Sequence, residues 1–213
     1  YDQLRMSVAF PHLNVKVVGT HAGISIGEDG PSQMAIEDFA LACSLPGFTV
    51  IVPSDEAHTH AAVRAMIAHE GPVYLRLGRP KAPRIHEAGS SLEIGKAYQL
   101  REGSDLTIVA CGLMTAAALQ AHDALAAKGI HARVLDFPTI RPLDVDALVR
   151  ASRDTGHILV AEEHLAHGGL GSVVAMAVGS HHPCKLGYVN LGNRFAESGT
   201  PEALMETYGL TAP

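Results

Sequence analysis

The chain has 213 residues, of which 47% are hydrophobic and 18% are charged. This composition supplies enough apolar material for one large or two small folded domains, and it argues against a disordered chain. Sixteen basic and 22 acidic residues give a formal charge of -6. Because no basic cluster stands out, the sequence predicts neither a nucleic-acid nor a membrane partner, and it favours a small-molecule partner.

The cysteines are Cys43, Cys111 and Cys184, and none of them forms a CxxC pair. They suggest neither a zinc site nor a disulfide framework, and they fit a reducing cytoplasm. The longest apolar run, residues 168–179, is far shorter than the ~20 residues that span a bilayer. We therefore expect a cytoplasmic protein.

Residues 1–10 have the pattern of the last turns of a helix without an N-cap, so we expect further sequence upstream. Alternating strand and helix patterns follow. The first block predicts strands at 15–19, 48–52 and 73–77, and helices at 34–42 and 56–69. Such alternation is typical of a parallel sheet covered by helices, which indicates an α/β fold.

Residues 78–92 carry Pro80, Pro83 and several basic residues without apolar periodicity, which predicts a linker. We place the domains at 1–80 and 93–213, with the linker at 81–92. The second block predicts strands at 106–110, 132–137, 157–161 and 185–191, and helices at 114–128, 144–153, 169–179 and 201–208. It is expected to form a self-contained sheet of four or five strands.

Residues 19–32 (GTHAGISIGEDGPS) hold the densest group of chemically useful side chains. In open α/β sheets, ligands bind where strands end. Turn geometry and capping of the next helix would explain the glycines, Glu28, Asp29 and Ser32. They explain His21 together with Asp29 less well, because both residue types orient or protonate a substrate hydroxyl.

Several motifs together resemble transketolases over nearly the whole chain. They include Tyr1-Asp2-Gln3, Gly19-Thr20-His21, Gly27-Glu28-Asp29-Gly30-Pro31, Val52-Pro53-Ser54-Asp55, Leu77-Gly78-Arg79, GSDLTIVACG at 103–112 and Glu162-Glu163-His164. The resemblance implies the end of a pyrimidine-binding domain for thiamine diphosphate, followed by a three-layer transketolase C-terminal domain. It also implies transfer of a two-carbon ketol unit between a ketose phosphate and an aldose.

The resemblance assigns roles to individual residues. His21 would lie beside the reactive thiazolium carbon and hydrogen-bond oxygens of the donor sugar, and Asp29 would contact a hydroxyl of that sugar. Arg79 matches the arginine that binds the sugar phosphate, a task suited to a planar guanidinium. Gln33 stands where the family usually has a histidine. An amide binds a sugar oxygen but cannot carry a proton, which leaves the donor sugar open.

The resemblance also implies thiamine diphosphate and Mg²⁺ in the complete enzyme. The glutamate that activates the aminopyrimidine and the aromatic residues that stack on it would precede Tyr1. Magnesium and diphosphate would be held by another domain, which is a separate polypeptide in split transketolases. We therefore expect an N-terminal partner, a homodimer formed through both domains, and no activity of the isolated chain.

Three alternatives stay open. Deoxyxylulose-phosphate synthase shares the Tyr1-Asp2-Gln3 opening, and the beta chain of a 2-oxo-acid dehydrogenase belongs to the same superfamily, although the Gly27-Glu28-Asp29-Gly30-Pro31 motif favours a transketolase. A non-catalytic transketolase-like subunit is the third, suggested by Gln33 and the missing glutamate.

Residues 162–167 contain two glutamates and two histidines, which could suggest a metal site, but a loop that caps the next helix is the plainer interpretation. No metal site is predicted.

Overall fold

The computed structural model describes residues 1–212, which form two mixed sheets flanked by helices. The strands are β1 (Lys16–Gly19), β2 (Thr49–Ile51), β3 (Val73–Arg76), β4 (Tyr98–Arg101), β5 (Leu106–Ala110), β6 (Ala132–Asp136), β7 (Thr139–Arg141), β8 (His157–Ala161) and β9 (Lys185–Val189). The helices are α1 (Asp2–Leu4), α2 (Asp38–Ser44), α3 (Glu56–Ala68), α4 (Met114–Ala126), α5 (Val145–Thr155), α6 (Leu170–His181) and α7 (Pro201–Thr207). The predicted α/β class is confirmed.

The first sheet has the strand order β1-β3-β2-β7. Strands β1, β3 and β2 run parallel, whereas β7 is antiparallel to β2. All three residues of β2 are buried, as expected of a parallel strand covered on both faces. The N-terminal segment is helical, as predicted: α1 continues as a π-helical turn, Arg5–Ala9, and Leu4, Val8 and Ala9 pack near Leu45 and Phe48.

The second sheet has the order β4-β6-β5-β8-β9, parallel except for β4, which pairs antiparallel with β6. One apolar cluster contains side chains from both halves of the chain, among them Phe39 and Val52 from the first and Val109, Leu135 and Leu148 from the second. The two sheets therefore share a continuous core. Within residues 1–212, no helix is long and apolar enough to cross a bilayer.

The structure departs from the sequence prediction at the start of one helix and at one unpredicted strand. The helix expected at 34–42 begins only at Asp38, because Ala35 bridges to Ala22 and its carbonyl accepts the Gly23 N–H. The second block forms its own sheet of five strands, within the predicted number, but it also contains the unpredicted strand β7, which joins the first sheet. Three residues carry too little periodicity for the sequence to reveal that pairing.

Candidate functional site

The residues expected at the site lie at one edge of the first sheet. Strands β1 and β3 are parallel neighbours, with Gly19 opposite Arg76. The pairing continues past the strands, because the Leu77 N–H donates to the Gly19 carbonyl and the Ala22 N–H donates to the Leu77 carbonyl. His21, which follows β1, and Arg79, which follows β3, therefore emerge at the same carboxyl edge, where open α/β sheets bind ligands.

His21 has an unusual backbone. Its φ is 65°, one of two positive values at non-glycine residues in the described chain. Histidine tolerates this left-handed conformation better than most residues, but the region remains sparsely populated and is found often at functional sites. The side chain is exposed, and its Nδ1 lies 2.9 Å from Oγ1 of Thr20. The imidazole ring of His21 therefore faces solvent, and its Nε2 lies on the side of the ring away from Thr20.

Arg79 connects the strand end to the loop of residues 20–32. It donates to the carbonyl of Ile26 at 2.6 Å and lies 3.7 Å from Glu28 Oε2 and 3.8 Å from Asp29 Oδ2. Its side chain is 43% exposed, and those of Glu28 and Asp29 are 63% and 50% exposed. Ion pairs this open are weak, so an anionic ligand can replace the carboxylates at little cost.

The structure thus brings Asp29 and Arg79 together and places His21 at the same edge. Gln33 is also exposed, at the far end of the loop, where its backbone N–H donates to the carbonyl of Gly30. The roles assigned to these four residues by resemblance remain predictions. The cofactor-binding residues were expected before Tyr1 or in a partner, outside this chain.

Residues of the second half of the chain contact this loop on its buried side. The buried carboxylate of Glu163 accepts the Ser25 backbone N–H at 2.5 Å through Oε1 and the Ser25 hydroxyl at 3.2 Å through Oε2. Gly27 has φ 84°, and a Cβ there would lie 2.8 Å from Cδ of Pro201. Burial raises the pKa of Glu163, although Arg76 and the Ser25 donors oppose that rise.

Arg76, at the end of β3, organises the surroundings of Glu163. Its Nε donates to Asp38 Oδ2 at 2.8 Å, and its Nη2 donates to the carbonyls of Ala35 and Glu163, both at 3.0 Å. The guanidinium also lies 4.4 Å from the centre of the Phe39 ring. One buried cation therefore joins α2, the short segment between the loop and α2, and the segment after β8.

The group at residues 162–167 does not form a metal site. Glu162 accepts the Leu170 and Gly171 N–H groups at 2.6 and 2.8 Å, which caps the start of α6, whereas the Glu163 carboxylate turns to Ser25. The His164 ring stacks on Phe39 at 4.9 Å and donates through Nδ1 to the Leu165 carbonyl. Burial raises the pKa of Glu162 to about 7, although the Leu170 and Gly171 N–H groups and the charge of Arg76 act to lower it.

A second buried polar cluster was missed by sequence reasoning. Asp136 accepts from Ser54 Oγ at 2.5 Å, His86 Nε2 at 3.0 Å and Thr115 Oγ1 at 3.0 Å, and His58 Nδ1 lies 3.5 Å away. Burial opposes ionisation of Asp136, but the surrounding donors outweigh burial and lower its pKa. The only signal in the sequence was a polar residue at the end of an apolar strand, which does not name its distant partners.

Three ligand atoms of this cluster, on His58, His86 and Asp136, lie within 4.8 Å of one another. The two imidazole rings nevertheless stack face to face, 3.3 Å apart with an interplanar angle of 8°. In that arrangement the nitrogen lone pairs lie in parallel planes, whereas a shared metal ion needs lone pairs that converge on one point. We interpret the cluster as a hydrogen-bonded contact between the two halves.

A cavity of about 560 Å³ opens between the halves, at the carboxyl ends of β2, β3 and β5. Its lining includes Asp55, Arg76, Lys81, Gly112 and Glu163. Asp55 also accepts the N–H groups of Ile85 and His86 at 2.7 and 2.6 Å, which fixes the segment after β3 against α3. The cavity wall thus contains Arg76 and Glu163, whose contact joins the two halves.

Comparison with known proteins gives two matching family models. The transketolase pyrimidine binding domain matches residues 1–84, and the transketolase C-terminal domain matches residues 95–213. The chain is 43% identical over 211 residues to the 6-deoxy-6-sulfo-D-fructose transketolase subunit SqwH of Clostridium sp. (strain MSTE9), covering 99% of this chain and 66% of that protein. It is 34% identical to an apulose-4-phosphate transketolase subunit of Phocaeicola vulgatus, covering 98% of this chain and 67% of that protein.

Among solved structures, the chain resembles one titled "Split gene transketolase, inactive beta4 tetramer". The TM-score is 0.93 and the identity is 46%, covering 99% of this chain and 67% of that one. The chain therefore spans about two thirds of the length of the relatives that it matches.

Proposed function

The chain belongs to the transketolase family, and from this premise we propose that it is the C-terminal subunit of a split transketolase, which transfers a two-carbon ketol unit between a ketose phosphate and an aldose. The observation that carries the proposal is the shared edge of β1 and β3, where His21, Asp29 and Arg79 all present exposed side chains. A surface of this kind fits a site that a second polypeptide completes.

Thiamine diphosphate, when bound, supplies the covalent chemistry of ketol transfer. The residues of this chain would orient the substrate. His21 and Asp29 hydrogen-bond the hydroxyl and carbonyl oxygens of the donor, Gln33 contributes an amide, and Arg79 binds the anionic end. The cofactor and its Mg²⁺ would be held mainly by an N-terminal partner subunit, so the chain alone is inactive.

The names of the relatives support this arrangement. Two of them are called subunits, and the matching solved structure is titled an inactive tetramer. The sugars in the names of the two subunits carry a sulfonate and a phosphate, respectively. Both groups are tetrahedral oxyanions that a guanidinium binds through several oxygens. We propose that the donor is a ketose with a charged oxyanion group at the end remote from its carbonyl. We also propose that this chain associates with a second copy of itself through both halves.

The test is reconstitution of ketol transfer with the N-terminal subunit from the same genome, thiamine diphosphate and Mg²⁺. Wild-type complex should transfer ketol units, and Arg79→Ala should raise KM for a phosphorylated or sulfonated ketose by about tenfold or more, because a charge-assisted contact is lost. KM for an uncharged ketose should change little.

Arg84→Ala is the matched control, because Arg84 is an exposed arginine nearby whose contacts, with Glu87 at 3.6 Å and with the His86 carbonyl at 3.4 Å, do not involve the loop. It should leave all the kinetic constants unchanged. Equal losses by Arg79→Ala with charged and uncharged donors would remove the proposed role of Arg79. No transfer by the reconstituted complex would favour a non-catalytic subunit, and decarboxylation of pyruvate instead would favour the synthase or dehydrogenase alternative.

A further inference from the structure

The contact between Glu163 and Ser25 joins segments that are 138 residues apart in the sequence. Both carboxylate oxygens of Glu163 are used on the loop, one by the Ser25 backbone N–H and the other by its hydroxyl. Gly23 allows the approach, since its φ is 82° and a Cβ there would lie 2.2 Å from Cδ of Glu163. The local sequence of the loop is thus fitted to this carboxylate.

Burial and a hydrogen bond from Arg76 restrain Glu163. Glu163 is 3% exposed, and Arg76 fixes its main chain by donating to the Glu163 carbonyl. A buried carboxylate is unfavourable unless hydrogen bonds satisfy it, and hydrogen bonds to an ionised acceptor are about twice as strong as neutral ones. A shift of Ser25 would remove two hydrogen-bond donors from this buried carboxyl group, which favours the observed position of the loop.

Ser25 lies midway between His21 and Asp29 in the sequence. The next residue, Ile26, offers the carbonyl to which Arg79 donates at 2.6 Å. Glu163, Ser25, Ile26 and Arg79 therefore form a continuous chain of contacts from the second half of the protein to the exposed edge. Displacement of Ser25 would move the acceptor that holds the Arg79 guanidinium and would shift the segment that carries Asp29.

We propose that Glu163 is a positioning residue, which sets the loop of residues 20–32, and through it Asp29 and Arg79, for the donor substrate. The catalytic contribution of this role rests on the proposed function. The mechanical part, which is that Glu163 stabilises the conformation of the loop, does not depend on the proposed function. The second half of the chain then takes part in substrate recognition through Glu163, without contact between Glu163 and the substrate.

Amide hydrogen exchange of the isolated chain tests the mechanical part. Glu163→Ala should speed exchange at Ser25 and its neighbours in the loop by about tenfold or more, and Ser25→Ala, which removes only the hydroxyl bond, should have a smaller effect. Glu162→Ala is the matched control, because Glu162 is an equally buried neighbour that caps α6 and does not touch the loop. It should speed exchange at Leu170 and Gly171 and leave the loop unchanged.

Kinetics of the reconstituted complex test the catalytic part. Glu163→Gln keeps one acceptor for the Ser25 N–H but loses the charge, so kcat/KM for the ketose donor should fall about tenfold. Glu163→Ala should lower it further, whereas Glu162→Ala should lower it much less at comparable thermal stability. Unchanged loop exchange in Glu163→Ala, or equal kinetic losses in the two alanine variants, would overturn the proposal. If wild-type complex transfers no ketol unit, the proposed function fails, and the exchange data still decide whether Glu163 holds the loop.

Discussion

The buried Arg76 contributes most to the polar interior around the candidate site. Its guanidinium meets Asp38, two carbonyl oxygens and the face of Phe39. Tyr74 adds a second donor to the same Asp38 oxygen at 2.8 Å. A planar group with five donors can satisfy these acceptors together, whereas a lysine ammonium on a flexible stem cannot.

Breaking the Arg76–Asp38 ion pair should be costly, because the largely buried Asp38 carboxylate would lose its cation and keep only the Tyr74 hydroxyl as a donor. We expect Arg76→Met alone to lower the free energy of unfolding by about 3–5 kcal/mol. Asp38→Asn combined with Arg76→Met should recover part of that loss. Urea denaturation of the wild type, both single variants and the double variant measures the coupling energy, which should reach about 1–3 kcal/mol.

The exposed pair Arg84 and Glu87 provides the comparison cycle. Its coupling energy should stay below about 1 kcal/mol, as is usual for ion pairs in water. Similar coupling in the two pairs would contradict the importance that we assign to burial of Arg76.

At the scale of single residues, the sequence predicted the exposed residues of the site but not the buried residues that stabilise their position. His21, Asp29 and Arg79 lie in short motifs that can be recognised locally. The contacts of Glu163 and Asp136 were not identified, because the partner of Glu163 lies 138 residues away and those of Asp136 lie 21 to 82 residues away. Hydrogen bonds between distant segments leave no periodic pattern, so no local interpretation could assign them.

Helix and strand boundaries follow from capping and from contacts outside the element. Helix α5 begins where Asp144 caps it, since its Oδ1 accepts the Ala147 N–H at 3.0 Å. The other oxygen accepts the Ala97 N–H at 3.0 Å, just before β4. Asp144 therefore joins a helix start to the edge strand that sequence reasoning missed.

Asp144→Ala should lower the free energy of unfolding by about 2–4 kcal/mol, the sum of a lost N-cap and a partly buried N–H left without its acceptor. Thr200→Ala is a suitable control, because Thr200 caps α7 through a longer bond of 3.3 Å to the Ala203 N–H and serves no second group. It should cost about 1 kcal/mol or less. Chemical denaturation of both variants measures the difference, and equal costs would show that the Ala97 contact contributes nothing.

The long elements of the second block were predicted well because their apolar patterns are regular. The central strands β5 and β8 have the predicted bounds, and β6 and β9 end one or two residues early. Strands β4 and β7 are short edge strands, and the start of α2 is displaced by the bridge between Ala22 and Ala35. Tertiary pairing decided these three features, and local propensity does not report it.

At the scale of the whole molecule, the two halves are joined by polar contacts as well as by the shared core. Asp136 collects donors from Ser54 in the first half, His86 in the connecting segment and Thr115 in the second half. These donors are buried, so their loss leaves several polar groups without partners. The two halves should therefore unfold together.

Asp136→Ala should lower the free energy of unfolding by about 3–5 kcal/mol and separate the single unfolding transition into two. The measurement is urea unfolding followed by circular dichroism and by hydrogen exchange in each half. Asp154→Ala, which removes a partner of Arg133 at the surface, should cost no more than about 1 kcal/mol and keep one transition. A loss below about 1 kcal/mol in Asp136→Ala would show that the apolar core alone couples the halves.

The position of strand β7 limits where this protein can be truncated. It lies far beyond the connecting segment, yet it covers the outer edge of β2 through Val50 and Ile51. A fragment that stopped near residue 84 would leave those backbone amides and carbonyls bare along an apolar strand, and bare strand edges of this kind recruit other chains. Expressed separately, the first half is therefore a candidate for aggregation, and a usable truncation would have to retain the segment through Arg141.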